Sequence, residues 1–97
     1  MRYGLKEDTI ERIKEVFSLF PCVQKVTLYG SRAKGNYRDG SDIDLTLHGK
    51  NLHFLTLQDI AIKLDELYLP YKIDLCIYDN LKNQDLKESI DKFGVGF

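Results

Sequence analysis

The sequence predicts an α+β domain, a small β-sheet with helices packed on one face, on three observations. The chain has 97 residues, the size of one domain and too short to build two cores. Hydrophobic residues make up 43% and charged residues 30%, enough apolar surface to fold and enough charge to stay dissolved. The apolar period switches between helical and extended spacing in the order helix, strand, strand, helix, strand, helix. A domain of this size buries only about 60–70% of the surface its unfolded chain exposes, so burial supplied by an oligomer or a partner chain is expected.

The first helix rests on Leu5, Ile10, Ile13, Val16, Phe17 and Phe20 near helical spacing, with Lys6, Glu7, Glu11, Arg12, Lys14 and Glu15 on the other side. Asp8 and Glu11 have capping-pair spacing, and Pro21 ends the segment. From Lys25 the period becomes two: Val26 and Leu28 alternate with Thr27 and Tyr29 in a strand that runs into Gly30. After the polar stretch 31–41, Ile43, Leu45 and Leu47 face one way while Asp42, Asp44, Thr46 and His48 face the other. Thr56 and Asp59 resemble a capping box ahead of a second helical stripe, Leu57, Ile60, Ala61, Leu64, Leu67 and Tyr68, which Pro70 stops. Tyr71, Ile73, Leu75 and Ile77 then alternate with Lys72, Asp74, Cys76 and Tyr78 in a third strand. Leu81, Leu86, Ile90 and Phe93 predict a last short helix closed by Gly94. The tail Val95–Phe97 is too short to assign.

Fourteen basic residues against 15 acidic ones leave a net charge of -1, which argues against tight nucleic-acid binding through the overall field and requires any polyanion site to be local. Apolar runs are only a few residues long and no charged-then-hydrophobic leader opens the chain, so neither membrane insertion nor export has support and a cytoplasmic protein is expected. Cys22 and Cys76 lie far apart with no partner at zinc-ligand spacing, and are expected to be reduced and at or near the core.

The informative stretch runs from Leu28-Tyr29-Gly30-Ser31-Arg32-Ala33-Lys34-Gly35 to Ser41-Asp42-Ile43-Asp44-Leu45. Gly30 ends a strand where a side chain would block the close approach of a ligand, and Ser31 is placed to cap a short helix through Lys34 whose N–H groups face an anion. Arg32, Lys34 and Arg38 add positive charge, although three loop cations are also an ordinary solvated set. A Walker A loop would need Lys and Ser or Thr after Gly35, where this chain has Asn36 and Tyr37.

Asp42 and Asp44, two apart on a strand, project from one face and can converge on a hard divalent cation. An acidic pair at a strand start is also commonly a turn or a solvated edge. Calcium binding by an EF-hand is excluded, because the sixth position counted from Asp42 is Leu47 rather than glycine. Asp74 occupies the same register of another strand, and a neighbouring placement would bring three acids together. Unit like charges about 4 Å apart repel by roughly 4 kcal/mol at an effective dielectric of 20, so such a cluster calls for cations. Two Mg²⁺ ions held by Asp42, Asp44 and Asp74 would bridge a nucleoside triphosphate in an in-line displacement.

Gly30-Ser31, ten intervening residues, Asp42-x-Asp44 and a later Asp74 on a hydrophobic strand resemble the polymerase-beta-like nucleotidyltransferase superfamily. More narrowly, LYGSRAKGNYRDGSDIDL and the chain length are similar to the minimal nucleotidyltransferases of bacteria and archaea, over nearly the whole chain. The resemblance implies a mixed sheet with flanking helices, two Mg²⁺ ions, and ATP or another nucleoside triphosphate as donor. It places Gly30 and Ser31, with Arg32 and Lys34 beside them, at the triphosphate, and makes Asp42, Asp44 and Asp74 catalytic. It further implies a HEPN-domain toxin as partner, with AMP transferred to one of its tyrosines by the antitoxin. Transfer to an aminoglycoside-like hydroxyl and a catalytically silent partner-binding module are the alternatives. Lone His48 and His53 are read as solvated or hydrogen-bonded residues, and Tyr29 as lining the nucleotide pocket or supporting packing.

Overall fold

Helix α1 (Glu7–Ser18) buries Ile10, Ile13, Val16 and Phe17 along one stripe and carries Glu7 and Asp8 in its first turn, where the helix dipole favours negative charge. The computed structural model describes residues 1–97. Asp8 and Glu11 lie inside the helix rather than at its cap, which is Lys6. Leu5 belongs to the core without belonging to the helix: it is fully buried and paired to Arg2 in an isolated bridge.

Strands β1 (Lys25–Tyr29), β2 (Ile43–His48), β3 (Ile73–Ile77) and β4 (Val95–Gly96) form a mixed sheet in the order β3-β2-β1-β4. β2 is antiparallel to β1 and parallel to β3; β4 is antiparallel to β1. The parallel pair is joined through α3 (Phe54–Asp65), since a parallel return requires a crossover. Thr56 and Asp59 fall within α3, whose cap is His53 with no side-chain bond, so the capping-box reading is corrected by one turn.

The period-two pattern divides the sheet cleanly. Leu28, Ile43, Leu45 and Leu47 are fully buried against Ile10, Ile13, Val16 and Phe17 of α1 and Ile60 and Leu64 of α3. These two helices supply the layer expected on the apolar face. The opposite face carries three rows: Tyr29, Asp44 and Asp74; Thr27, Thr46 and Cys76; then Lys25 and His48, on which the ring of Tyr78, just past β3, stacks.

Helix α4 (Gln84–Phe93) begins on Asn83, whose side-chain oxygen accepts from the Leu86 N–H at 3.1 Å. It lies over the end of the polar face remote from Asp44: the Tyr78 hydroxyl donates to Asp91 at 2.7 Å, and a Cβ on Gly94 would meet the Thr27 methyl at 2.7 Å. Gly94 is extended, at φ -63° and ψ 147°, instead of closing the helix in a left-handed turn as expected. The chain thereby continues into β4. No helix is long and apolar enough to cross a membrane.

Candidate active site

β1 delivers the chain to Gly30, which sits at φ 75°, ψ -153°, a conformation that residues with a Cβ avoid. A Cβ there would lie 2.5 Å from an Asp44 carboxylate oxygen, so the missing side chain is required by the acid opposite as well as by the turn. One turn of helix, α2 (Ser31–Lys34), follows and stops on Gly35. Gly30, not Ser31, is the cap residue, and Ser31 opens the helix without a side-chain capping bond.

Antiparallel pairing sets Tyr29 opposite Asp44, and parallel pairing sets Asp44 opposite Asp74. The period-two alternation puts all three side chains on one face, as the sequence spacing requires. Asp44 is held up at about 6, first by burial, then by the charges of Asp74 and Asp42 and a hydrogen bond with Asp74; Lys72 opposes this weakly. Lys72 approaches Asp74 at 3.5 Å, but the two side chains are 71% and 44% exposed, so water screens the pair. Asp42 lies just before β2, exposed at the mouth of the pair.

These acids fit Mg²⁺. It prefers hard oxygen donors, and it binds through one or two carboxylates while phosphate and water complete its shell. Asp44 and Asp74 offer such a pair, with Asp42 alongside, although the three are not closed into a ready-made three-ligand cluster. The shelf they occupy is open. The larger clefts lie elsewhere, such as one of about 470 Å³ lined by Phe17, Val23 and Phe97.

One residue differs from its sequence reading. Arg32 is not a cation facing the triphosphate: it is 2% exposed and its guanidinium is bonded to the backbone carbonyls of Ser41 and Tyr3. Tyr29, expected to line the nucleotide pocket or to support packing, spans the polar face from Asp44 to Cys76, its hydroxyl 3.5 Å from the Cys76 sulfur. Burial, then the Cys76 contact and the nearby acids, push its phenol above the ordinary range. A tyrosine one residue before the glycine and opposite the second aspartate carries this signal in register alone. Lys34 stays exposed, its ammonium 5.4 Å from the Phe93 ring centre. His48 pairs with Thr27 at 3.0 Å and stacks on Tyr78, a hydrogen-bonded residue away from the acids. Both cysteines are free and half-buried.

A family model described as polymerase beta, nucleotidyltransferase, matches residues 11–95. No curated protein matches the chain. Among solved structures, one described as a minimal nucleotidyltransferase superposes with a TM-score of 0.74 at 24% identity, covering 100% of this chain and 97% of that one. A toxin-antitoxin crystal structure with AMP-PNP gives 0.71 at 22% identity, covering 95% of this chain and 72% of that one. The MNT antitoxin in complex with the tri-AMPylated Shewanella oneidensis HEPN toxin gives 0.62 at 18% identity, covering 91% and 70%. At such identities the likeness carries the fold, while the family match spans most of the sequence. This chain belongs to the polymerase beta nucleotidyltransferase family, on the fold shared with the minimal nucleotidyltransferases.

Proposed function

We propose that the protein is an Mg²⁺-dependent nucleotidyltransferase that moves AMP from ATP to a tyrosine hydroxyl of a HEPN-type toxin, and so acts as the antitoxin of the pair. The observation that carries this reading is the register of Asp44 and Asp74 beside the side-chain-free turn at Gly30. Among the similar structures is an MNT antitoxin bound to an AMPylated HEPN toxin, which supports the choice of acceptor. The shelf is open and lies apart from the larger clefts, which suits an acceptor presented by another protein better than a small molecule needing an enclosed pocket.

Asp42, Asp44 and Asp74 would hold two Mg²⁺ ions, which when bound neutralise charge on the triphosphate and on departing pyrophosphate. Gly30 lets the backbone approach the phosphates, and the Ser31 N–H and hydroxyl donate to their oxygens. Lys34, exposed beside this turn, adds a cation within reach of the polyphosphate. The acceptor oxygen attacks the α-phosphorus, the bond to the pyrophosphate oxygen breaks, and pyrophosphate leaves with the electron pair. Asp74, whose side chain is half-exposed, takes the hydroxyl proton. Catalysis is then positioning and charge stabilisation.

The test is transfer of label from the α-phosphate of ATP to the co-expressed partner. Asp42→Asn and Asp44→Asn should each lower the rate on the order of a thousandfold. Unaltered neutralisation of the toxin by both variants would show a silent binding module instead. Rapid labelling of a free aminoglycoside without any partner would assign the acceptor to small molecules.

A further inference from the structure

Arg32 is the one charged side chain buried in this protein. No ion pair involves it. Its Nε and Nη2 groups donate to the Ser41 carbonyl at 3.1 and 2.7 Å, and Nη1 donates to the Tyr3 carbonyl at 2.9 Å. The rings of Tyr71 and Tyr37 stand 4.9 and 5.4 Å from the guanidinium carbon. The backbone closes on this group so tightly that a Cβ on Gly4, itself at φ 72°, would lie 2.8 Å from Nη1 and 2.5 Å from Tyr37. Burying a cation without a counter-charge is a poor way to stabilise a fold, because an apolar side chain of similar volume does as well or better. What the guanidinium offers here is geometry.

The doubly bonded carbonyl belongs to the residue immediately before Asp42. Arg32 is itself two residues after Gly30. The loop between them is tied on the same carbonyl's residue: the Ser41 N–H donates to Arg38 O at 3.0 Å, and the Arg38 N–H donates to the Ser41 hydroxyl at 2.9 Å. On the far side of Asp42, the Ile43 N–H donates to Lys72 O at 2.9 Å. The backbone of Asp42 is therefore anchored through both neighbours, once to the sheet and once to α2 through Arg32.

We propose that Arg32 is a positioning residue for nucleotidyl transfer: without touching nucleotide, it locks the Asp42 carboxylate in place relative to the Gly30–Ser31 turn by clamping the Ser41 carbonyl. The proposal rests on the functional reading above. Arg32→Lys keeps the charge but replaces a planar fork with a point donor that cannot hold the Ser41 and Tyr3 carbonyls together. With α-phosphate-labelled ATP, Mg²⁺ and the HEPN-type partner, R32K should lower kcat about ten- to hundredfold while KM for ATP stays within about threefold. In an Asp42→Asn background the same change should cost less than about twofold more, since the group it acts through is gone. A tenfold rise in KM at unchanged kcat would mean that Arg32 contacts nucleotide directly, and full multiplicative loss in the double variant would mean that it acts elsewhere; either overturns the proposal. A second measurement needs no activity. In the metal-free protein the Ser41 and Ile43 amides of R32K should exchange hydrogen about tenfold faster than wild type, with α1 and α3 unchanged. Unchanged exchange at 41 and 43, or acceleration everywhere, refutes the clamp. If the wild-type protein transfers no nucleotide, the functional reading fails, and the exchange result still decides whether Arg32 holds this segment.

Discussion

Asp44 and Asp74 stand directly opposite each other on adjacent parallel strands, with Asp44 pushed up to about 6 by burial and by the charge of its neighbour. Two acids so placed oppose ionisation, and with it the stability of the metal-free fold. The proposed function gives that opposition a purpose, since a divalent cation would convert mutual repulsion into shared coordination.

The pH dependence follows in sign. Below an ordinary carboxylate value of 3.8, Asp44 is protonated in both folded and unfolded chains and contributes no difference. As pH rises towards about 6 the folded chain retains the proton longer, so stability falls, and above that value the loss is complete. Asp44→Asn should flatten this limb. Thermal melts of the metal-free protein from pH 4 to 7 read the effect, and an identical slope in wild type and variant would discard it. Added Mg²⁺ should raise the wild-type Tm at pH 7 by mass action and leave the variant nearly unmoved.

Gly30→Ala should destabilise by about 1–3 kcal/mol from backbone strain alone, a Tm loss of roughly 4 °C or more in a chain of this size. The Cβ would also press on the Asp44 carboxylate 2.5 Å away. Combining the change with Asp44→Ala removes the steric part and keeps the strain, so the two costs should be less than additive. Urea titrations of the four proteins decide it, strict additivity being the contrary result.

Thr46 is fully buried between Thr27 and Cys76 in the middle row of the polar face, and its hydroxyl has no hydrogen-bond partner. Thr46→Val keeps the branched shape and deletes the orphaned group. It should stabilise by about 1–2 kcal/mol. Denaturant midpoints measure this, and a loss of stability would show that the hydroxyl is satisfied.

Much of the architecture was legible because burial imposes period. Ile43, Leu45 and Leu47 had to face the helices, so Asp42 and Asp44 had to face away, and Asp74 followed by the same rule one strand over. The helical stripes were equally plain at Ile10, Ile13, Val16 and Phe17 and at Leu57, Ile60 and Leu64, whereas Leu5 and Phe20 lie outside α1, Leu67 and Tyr68 lie past the end of α3, and Tyr68 is exposed. What periodicity does not carry stayed hidden: β4 has two residues, too short for any pattern to repeat, and the four residues of α2 were legible only from the Gly30-Ser31 context. Caps were misplaced because Thr56 and Asp59 have the right spacing inside the helix as well as at its start. Arg32 was misread for a related reason. Its acceptors are main-chain carbonyls of residues 3 and 41, and a carbonyl has no sequence signature, whereas a glycine-serine turn beside a cation suggests phosphate.

The tail offers the last prediction. Val95 pairs with Leu28, Gly96 with Thr27, and the Phe97 N–H donates to Val26 O at 2.9 Å, while Val95 and Phe97 pack as half-buried side chains against the core. A chain stopped at Gly94 loses that apolar burial and leaves β1 as a bare edge flanked by buried Leu28. The expected cost is roughly 2–4 kcal/mol, from two partly buried side chains and the strand pairing. An unprotected edge strand also pairs with other chains, so the shortened protein should aggregate on mild heating. Tyr29 and Asp44 lie beyond the paired positions, so nucleotide transfer per folded molecule should survive the truncation. Urea unfolding with light scattering tests the first claim and labelling at low temperature the second. An unchanged midpoint with a monodisperse sample would show that β4 contributes no support to the sheet.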